Sequence, residues 1–323
     1  MLKICLTPIK NEAWILERFL QCASLWADKI IIADQGSTDN SIEIAKRFDK
    51  VHIINNAEEK YNELGRQELL INEARKKFGT NNFLLALDAD EILSANFLES
   101  NEWKEIFSQP IGTKIALQWV NLSPECKTFW TNFPPFILGV IDDGSHKIGT
   151  AIHSPRVPIN SAGKTITLNE VKLLHYQYTD WDRMLLKQAW YQCYEKINYP
   201  EKGNVDIYEM YNHFRYIKNN LQLVNQNWFQ QYEKIGINMK TTIPNPASYY
   251  WVDQLNNYFK EYGEKYFRRL DVFNNATNKY VAINENINNN FFSKTYIKLL
   301  HFYGGLPNRF YKRYLKKILN TIS

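Results

Sequence analysis

Apolar and polar residues in the first third of the chain follow two alternating periodicities. Short apolar runs predict β-strands at residues 3–8, 29–34, 51–54 and 83–87. Apolar residues at helical spacing predict helices at residues 12–26, 41–47 and 64–78. Because the strands show no alternation of apolar and polar residues, they fit a parallel sheet whose two faces are covered by helices. The pattern therefore predicts an α/β domain that begins at residue 1.

Beyond residue 90 the pattern is less regular. Further apolar runs predict strands at residues 114–122 and 172–178. Helical periodicity covers residues 181–196, 207–229 and 249–270. The Pro244-Asn245-Pro246 segment separates the last two helical segments. We place a boundary near residue 200, which gives a first domain of residues 1–200 and a mainly helical C-terminal region of residues 201–323.

The composition is that of a folded globular protein. Of the 323 residues, 45% are hydrophobic and 23% are charged, which excludes intrinsic disorder. The net charge of +5 is modest, so no nucleic-acid partner is predicted. No apolar stretch of about 18 residues predicts a transmembrane helix, and the N-terminal apolar run is too short for a signal peptide. The 4 cysteines are scattered, which favours a reduced, cytoplasmic setting.

The pair Asp88 and Asp90 is the sharpest candidate for chemistry. It directly follows the apolar run at residues 83–87. Residues two apart in an extended chain share a face, so the two carboxylates project together and raise each other's pKa. A divalent cation such as Mg²⁺ relieves this repulsion. The alternative is a cap for a short helix that begins near residue 93, but a position at the end of a buried strand favours the metal site.

Polar residues also follow the first and second predicted strands. Asp34 ends the second strand, and a Gly-Ser-Thr-Asp turn at residues 36–39 comes next. Its carboxylate can accept hydrogen bonds from a nucleoside base or from ribose hydroxyl groups. The turn residues also fit a simpler role as a helix cap. The segment after the first strand, residues 7–12, is unremarkable when taken alone.

Four segments taken together resemble the family 2 glycosyltransferases. They are residues 7–12, residues 30–39, Gly65-Arg66 and Asp88-Ala89-Asp90-Glu91, in the order and spacing of that family. The resemblance is close over roughly residues 1–100 and looser to about residue 200. It implies a GT-A fold, which is a Rossmann-like, mostly parallel sheet flanked by helices. Gln35 is a departure, because many members carry a second Asp there.

The resemblance also implies a role for each matched position. The residues that would contact the nucleotide sugar are Thr7, Pro8, Asn11, Glu12, Asp34, Arg66, Asp88, Ala89 and Glu91. Asp34 would hold the base or ribose, and Arg66 would approach the base or diphosphate. Asp88 and Asp90 would bind the Mn²⁺ or Mg²⁺ ion that bridges the two phosphates.

A later histidine and a carboxylate base would complete such a site. Many GT-A enzymes supply a downstream histidine to the metal, and His175 is the candidate here, with a structural histidine as the alternative. The base would take the proton of the acceptor hydroxyl group. We prefer Asp180, at the start of a predicted helix, although an N-cap explains it equally well. Asp142 and Asp143 are its competitors.

The resemblance implies an inverting, metal-dependent glycosyltransferase. Its donor would be a nucleotide sugar, with a UDP-sugar favoured, and its acceptor a glycan or lipid-linked hydroxyl in cell-surface polysaccharide biosynthesis. One alternative is a nucleotidyltransferase, although residues 7–12 lack the expected glycine-rich loop. Another is a non-catalytic carbohydrate-binding protein that uses the 15% aromatic residues.

The C-terminal tail has a distinct composition. From Lys294 onward the sequence contains no Asp or Glu, and 7 Lys and Arg residues lie among aromatic ones. A basic, aromatic-rich helix can lie on an anionic membrane surface, whereas a solvated helix end is the alternative. The hypothesis is therefore a cytoplasmic protein with peripheral contact at the inner face of the cell membrane.

Overall fold

The computed structural model describes residues 1–56, 62–131, 134–146, 148–150, 153–219, 221–283, 291–306 and 309–321. The chain forms two compact units. Unit 1 comprises Met1–Thr179 and Gln222–Ser248, and unit 2 comprises Asp180–Leu221 and Tyr249–Ser323. The two units thus interleave along the sequence, whereas the predicted domains, residues 1–200 and 201–323, are consecutive.

The regular elements are as follows. The strands are β1 (Lys3–Ile9), β2 (Lys29–Asp34), β3 (Val51–Asn55), β4 (Phe83–Ala86), β5 (Glu91–Leu93), β6 (Lys114–Leu117), β7 (Trp119–Leu122), β8 (Thr128–Trp130), β9 (Phe136–Ile141), β10 (Thr165–Thr167), β11 (Leu173–His175) and β12 (Gln222–Leu223). The α-helices are α1 (Leu16–Ala23), α2 (Ser41–Ala45), α3 (Glu63–Phe78), α4 (Asn101–Glu105), α5 (Trp181–Asn198), α6 (Asn204–Tyr211), α7 (Gln230–Lys234), α8 (Trp251–Tyr262), α9 (Asn275–Tyr280), α10 (Phe291–Gly305) and α11 (Arg309–Thr321). Short 3-10 helices span Ala95–Leu98, Ile106–Ser108, His213–Asn219, Gln226–Trp228, Pro246–Ser248 and Glu264–Phe267.

The main sheet of unit 1 has seven strands in the order β10-β6-β9-β4-β1-β2-β3. Strands β4, β1, β2 and β3 run parallel to one another, and β9 is antiparallel to both of its neighbours. Consecutive residues of β1 point to opposite faces of the sheet. Ile4 packs in a core with Leu70 of α3, whereas Cys5 packs in a separate core with Leu16 of α1. Helices therefore cover both faces, and the predicted mostly parallel α/β fold is confirmed.

A second sheet in unit 1 has the order β12-β8-β7-β11-β5. The strand predicted at residues 114–122 is in fact two strands, because the chain leaves the main sheet after β6 and enters the second sheet at β7. Strand β11 pairs with both β5 and β7, so His175 is in register with Glu91 on one side and Asn121 on the other. This pairing brings the predicted histidine beside Asp88-Ala89-Asp90-Glu91, which we call the acidic segment.

Unit 2 is helical, but the helix predicted at residues 207–229 is wrong. Helix α6 ends at Tyr211, and the chain continues as a 3-10 helix and then as strand β12, which belongs to unit 1. The helix stops before Asn212, whose backbone leaves the helical conformation. The buried side-chain amide of Asn212 donates to Gln192 Oε1 at 3.2 Å. Within the described ranges, no helix combines the length and apolar character needed to span a bilayer.

Candidate functional site

The carboxyl ends of β4, β1 and β2 lie side by side in the main sheet. Leu6 of β1 is in register with Ala86 of β4, and Ile9 of β1 is in register with Asp34 of β2. The segments that follow these three strands therefore leave the same edge of the sheet. Ligands of open parallel sheets bind at this edge, and three of the four sequence motifs meet here.

Hydrogen bonds tie the loops after β1 and β2 together. Asn11 has a φ of 54°, a left-handed conformation that Asn tolerates better than most residues. Its backbone N–H donates to Ser37 Oγ at 2.9 Å, and its Oδ1 accepts from the Thr38 N–H at 2.7 Å. The next residue, Glu12, donates its N–H to Ser41 Oγ at 2.8 Å. Asn11 and Glu12 thus shape this edge through their own hydrogen bonds.

Asp34 is half-buried at the same edge. Its carboxylate accepts from the Ser37 N–H at 3.1 and 3.3 Å, and Gly36 makes the turn with a φ of 73°. A carboxylate offers about four acceptor positions, so Asp34 retains capacity for a ligand. Pro8 is half-buried beside it. Thr7, by contrast, is 0% exposed, so it offers no surface to a nucleoside in this structure.

His175 of β11 lies next to Asp90 of the acidic segment. Nε2 of His175 lies 4.0 Å from Asp90 Oδ2, and Nδ1 of His175 lies 2.8 Å from Asn121 Oδ1. The imidazole stacks on Trp119 with a ring-centroid distance of 5.0 Å and an interplanar angle of 19°. Strand pairing and stacking therefore fix both the position and the orientation of the imidazole.

Asp88 and Glu91 bind Arg156, which the sequence reasoning missed. The guanidinium Nη2 lies 2.8 Å from Asp88 Oδ2 and 2.9 Å from Glu91 Oε1, and Nη1 contacts the second Glu91 oxygen. Burial raises the pKa of Glu91, whereas the positive charge of Arg156 opposes that rise. The two carboxylates in turn raise the pKa of Arg156 against the effect of its own burial.

Ala89 and Glu91 are both buried, which limits what they can contact. Glu91 is 0% exposed and Ala89 is 2% exposed. Ala89 packs in the core on the α1 side of the sheet. The predicted contact of these two residues with the donor is therefore not supported, and Glu91 serves Arg156 instead. A buried carboxylate is stabilised by a paired cation, but the sequence does not tell which of the 39 Lys and Arg residues supplies it.

Arg66 lies in the first turns of α3, close to the segment that carries Arg156. Its Nη2 is 4.0 Å from Glu63 Oε1, and Glu63 Oε2 accepts from the backbone N–H of Ser154 at 2.9 Å. The negative charge of Glu63 also helps to raise the pKa of Arg156. Glu63 thus links the two arginines: it contacts Arg66 directly, and it accepts a hydrogen bond from Ser154, two residues before Arg156.

Asp142 and Asp143 lie at the opposite edge of the sheet. They follow β9, which is antiparallel to β4, and the Asp142 N–H donates to the carbonyl of Asn82 just before β4, at 2.9 Å. Asp90 follows the other end of β4. This topology contradicts the prediction that Asp142 or Asp143 is a base at the acidic segment, because the length of β4 separates them from it.

Both residues have structural partners at that edge. Asp142 is 0% exposed and accepts from Arg75 Nε and Nη2 at 2.9 and 2.7 Å. Asp143 accepts from the Ser145 N–H at 2.9 Å and from Ser161 Oγ at 3.1 Å. These bonds fasten the loop after β9.

Asp180 belongs to unit 2, where it caps α5. Its Oδ1 accepts from the Arg183 N–H at 3.1 Å. The Tyr249 hydroxyl donates to the same carboxylate, at 2.9 and 2.8 Å from its two oxygens. Burial and the charge of Asp180 raise the pKa of Tyr249. Asp180 is 2% exposed, and these contacts favour the cap; its role as a catalytic base stays a prediction.

Among the described residues, no three His, Cys, Asp or Glu side chains are grouped closely enough to hold a metal ion by themselves. Asp90 and His175 provide two donors of the right chemistry, an oxygen and an imidazole nitrogen. Asp88 is paired with Arg156 instead.

The comparison with solved structures gives partial matches. Glucosyl-3-phosphoglycerate synthase from Mycobacterium tuberculosis, solved with Mn²⁺, UDP and glucosyl-3-phosphoglycerate, is 15% identical with a TM-score of 0.28, over 37% of this chain and 44% of that chain. The chain thus spans less than half of that protein's length. 4-Diphosphocytidyl-2C-methyl-D-erythritol synthase is 13% identical with a TM-score of 0.35, over 52% and 89% of the two chains. HddC from Yersinia pseudotuberculosis is 11% identical with a TM-score of 0.32, over 54% and 93%.

No curated protein matches the chain. Residues 5–100 match the family model of glycosyl transferase family 2. This range contains β1 to β4 and the acidic segment, so it covers the edge of the sheet described above. The similarity of this chain to glycosyl transferase family 2 thus lies in the strands and the acidic segment that form the candidate site.

Proposed function

We propose that this chain binds a nucleotide sugar and a divalent cation at the carboxyl edge of β1, β2 and β4 and transfers the sugar, with inversion, to a hydroxyl group. One observation carries the metal dependence, namely that His175 Nε2 faces Asp90 Oδ2 at 4.0 Å. This separation is too long for a hydrogen bond. Asp90 and His175 present a carboxylate oxygen and an imidazole nitrogen to the same space, and both are donor types that would hold a divalent cation.

The proton position on His175 supports the same role. Because an amide oxygen can only accept, the contact with Asn121 Oδ1 places a proton on Nδ1, so in the neutral imidazole Nε2 is the nitrogen available to a cation. An imidazole donor favours Mn²⁺ over Mg²⁺, which prefers oxygen alone. We therefore assign Asp90 and His175 as the metal ligands and Mn²⁺ as the preferred ion.

The charges near Asp90 also favour a cation. Asp88, Asp90 and Glu91 are three carboxylates, and Arg156 supplies one positive charge against them. The excess negative charge attracts a divalent cation. Because Arg156 already pairs with Asp88, we assign Asp88 to orienting Arg156 rather than to the metal. When bound, the cation would stabilise the charge that develops on the leaving nucleoside diphosphate.

The nucleotide would lie along the loops after β1 and β2. Asp34 would accept from the base or ribose, beside Pro8, and Arg66 would approach the base or diphosphate. The rigid hydrogen bonds of Asn11 support such a site, because they hold the two loops at a fixed spacing. The acceptor in this proposal is a glycan or lipid-linked hydroxyl, and the pathway is cell-surface polysaccharide biosynthesis in the cytoplasm.

A thermal-shift screen of the full chain tests the donor. UDP-, GDP-, dTDP- and CMP-sugars are added with Mn²⁺, and a UDP-sugar is expected to raise the melting temperature. A ligand at a hundred times its Kd adds about 2.7 kcal/mol to the unfolding free energy. No shift with any sugar nucleotide would contradict the proposal.

Titration calorimetry with Mn²⁺ tests the two ligands separately. We expect Asp90→Asn and His175→Ala to abolish measurable Mn²⁺ binding, whereas Asp49→Asn, at an exposed position of unit 1, should bind as the unsubstituted chain does. Glycan binding that persists in EDTA and in Asp90→Asn, without sugar transfer, would instead identify a carbohydrate-binding protein.

A further inference from the structure

Helix α11 of unit 2 carries an exposed apolar stripe. Tyr311, Tyr314 and Ile318 are 61%, 66% and 43% exposed, and their spacing of three and four residues puts them on one side of the helix. The neighbouring side packs inward, where Leu319 is buried and Leu315 contacts the same core. The apolar arc of α11 is therefore wider than the part that unit 2 buries.

Basic side chains flank this stripe. Arg313 and Lys317 are exposed, and no described carboxylate forms an ion pair with either of them. Lys316, on the inward side, is already neutralised by Glu209 at 2.9 Å. We call Tyr311, Arg313, Tyr314, Lys317 and Ile318 the α11 face. Its charge is therefore positive, with no compensating acid in its own helix.

Helix α10 shows the same combination of side chains. Phe302 is 62% exposed, and Lys298, one turn earlier on the same side, is also exposed. A cavity of about 490 Å³ beside α10 is lined by Arg268 and Arg269 together with apolar side chains such as Leu299. Guanidinium groups beside apolar surface suit a phosphate that is attached to a hydrophobic molecule.

We propose that the α11 face docks unit 2 onto a membrane surface that contains anionic phospholipid. Tyr side chains suit the boundary between headgroups and acyl chains, because one end is apolar and the other is polar. Arg313 and Lys317 would meet the phosphate and carboxylate groups of the lipids. The helix is about 20 Å long, which is too short to cross the hydrocarbon core, so it would lie in the plane of the surface.

Vesicle sedimentation of the full chain tests this proposal. Vesicles consist of phosphatidylcholine alone or of phosphatidylcholine with one third phosphatidylserine. We expect the protein to pellet with the second kind and to remain in solution with the first. Raising the ionic strength from about 0.1 M to about 1 M should release it, because the screening length falls from about 10 to about 3 Å. Equal pelleting with both kinds of vesicle, or none with either, would overturn the proposal.

Two surface variants identify the face that binds. Arg313→Gln/Lys317→Gln should lower the partition coefficient about 25-fold, or about fivefold for each charge. Tyr314→Ser/Ile318→Ser should lower it at least about tenfold, because apolar area no longer enters the interface. The matched control is Leu223→Ser/Ile243→Ser in unit 1, whose side chains are 82% and 79% exposed. Its binding should equal that of the unsubstituted chain.

The same variants distinguish membrane binding from self-association of this chain. Circular dichroism and the melting temperature should be unchanged, because every substituted side chain is exposed. If sedimentation velocity shows a dimer that Tyr314→Ser/Ile318→Ser dissociates, and no vesicle binding occurs, the α11 face joins two copies of this chain and the membrane proposal is wrong.

Discussion

Arg156 and Glu91 form a buried ion pair at the carboxyl edge of the main sheet, although 65 positions separate them in the chain. Glu91 is 0% exposed, and the Arg156 side chain is 15% exposed. Their closest contacts join the two terminal guanidinium nitrogens, Nη1 and Nη2, to the two carboxylate oxygens. The pair fastens the segment near residue 156 to the end of β4, directly beside Asp90.

Removing Arg156 should destabilise unit 1 strongly. Arg156→Met removes the charge that opposes the rise in the Glu91 pKa, so Glu91 must either stay buried as an unpaired carboxylate or take up a proton, and the expected loss is about 3–5 kcal/mol in the free energy of unfolding. Urea unfolding at neutral pH measures this loss. The double variant Arg156→Met/Glu91→Leu should recover most of it, because both buried charges are then absent.

An exposed ion pair provides the matched control for that experiment. Arg47 lies 3.2 Å from Glu17, and both side chains are about half exposed, at 55% and 51%. Arg47→Met should therefore cost about 1 kcal/mol or less. A similar small loss in Arg156→Met would mean that Glu91 is not held as a buried carboxylate by Arg156.

Asn121 should control metal affinity without touching the metal. Asn121→Ala removes the acceptor of the His175 Nδ1 proton, so the imidazole can rotate or change its tautomer. Loss of such a supporting contact typically lowers metal affinity about 10- to 100-fold. Titration calorimetry with Mn²⁺ measures the change. Asn169→Ala, at an exposed position, should leave the affinity as it is, and an unchanged affinity in Asn121→Ala would contradict the role given to His175.

The sequence predicted β1 to β4 of the main sheet because each is a local signal, whereas β9 and β10 were not predicted. The runs that became β1 to β4 are largely apolar and do not alternate with polar residues, and the acids that follow β2 and β4 therefore lie at one edge. Asp34 and Asp90 were placed at that edge in this way, since strand order and strand ends suffice to put both of them there.

The partners of these residues depend on long-range pairing, which local patterns do not contain. His175 meets Asn121 only because β11 pairs with β7, and Arg156 meets Glu91 across 65 positions. Asp142 was misplaced for a related reason. Its chemistry suits a base, but β9 runs antiparallel to β4, and the sequence alone did not reveal that direction.

Asp143 should make the stability of unit 1 dependent on acidic pH. Burial alone would raise its pKa, but hydrogen bonds from Ser145 and Ser161 outweigh burial and lower the pKa below its usual value. A carboxyl group whose folded-state pKa is lowered stabilises the fold above its unfolded-state pKa, which is about 3.9. That stability is lost as the pH falls through the folded-state value. Asp143→Asn should therefore be less stable than the unsubstituted chain at pH 7, and unfolding curves at about pH 3 should show a smaller difference. A difference that is constant with pH would contradict this account.

A single substitution, Asp180→Asn, distinguishes a helix cap from a catalytic base at this position. Asn caps helices about as well as Asp, and its side-chain oxygen can still accept from the Arg183 N–H and the Tyr249 hydroxyl. Asp180→Asn should therefore have nearly the same unfolding free energy as the unsubstituted chain. Its turnover should stay within a few fold of that chain's. A base would behave differently, because loss of general-base catalysis lowers kcat about 10²- to 10⁴-fold while the fold stays intact.

Truncation of the side chain completes the test of Asp180. Asp180→Ala should cost about 0.5–2 kcal/mol of unfolding free energy for the lost cap, with a further cost for the Tyr249 hydroxyl. Asn274 is the control, since it caps α9 in the same unit through bonds of 3.0 and 3.1 Å to the Ala276 and Thr277 N–H groups. Asn274→Ala should show a comparable loss of stability without loss of turnover. If Asp180→Asn loses turnover at full stability while Asn274→Ala does not, Asp180 is the base and the cap is secondary.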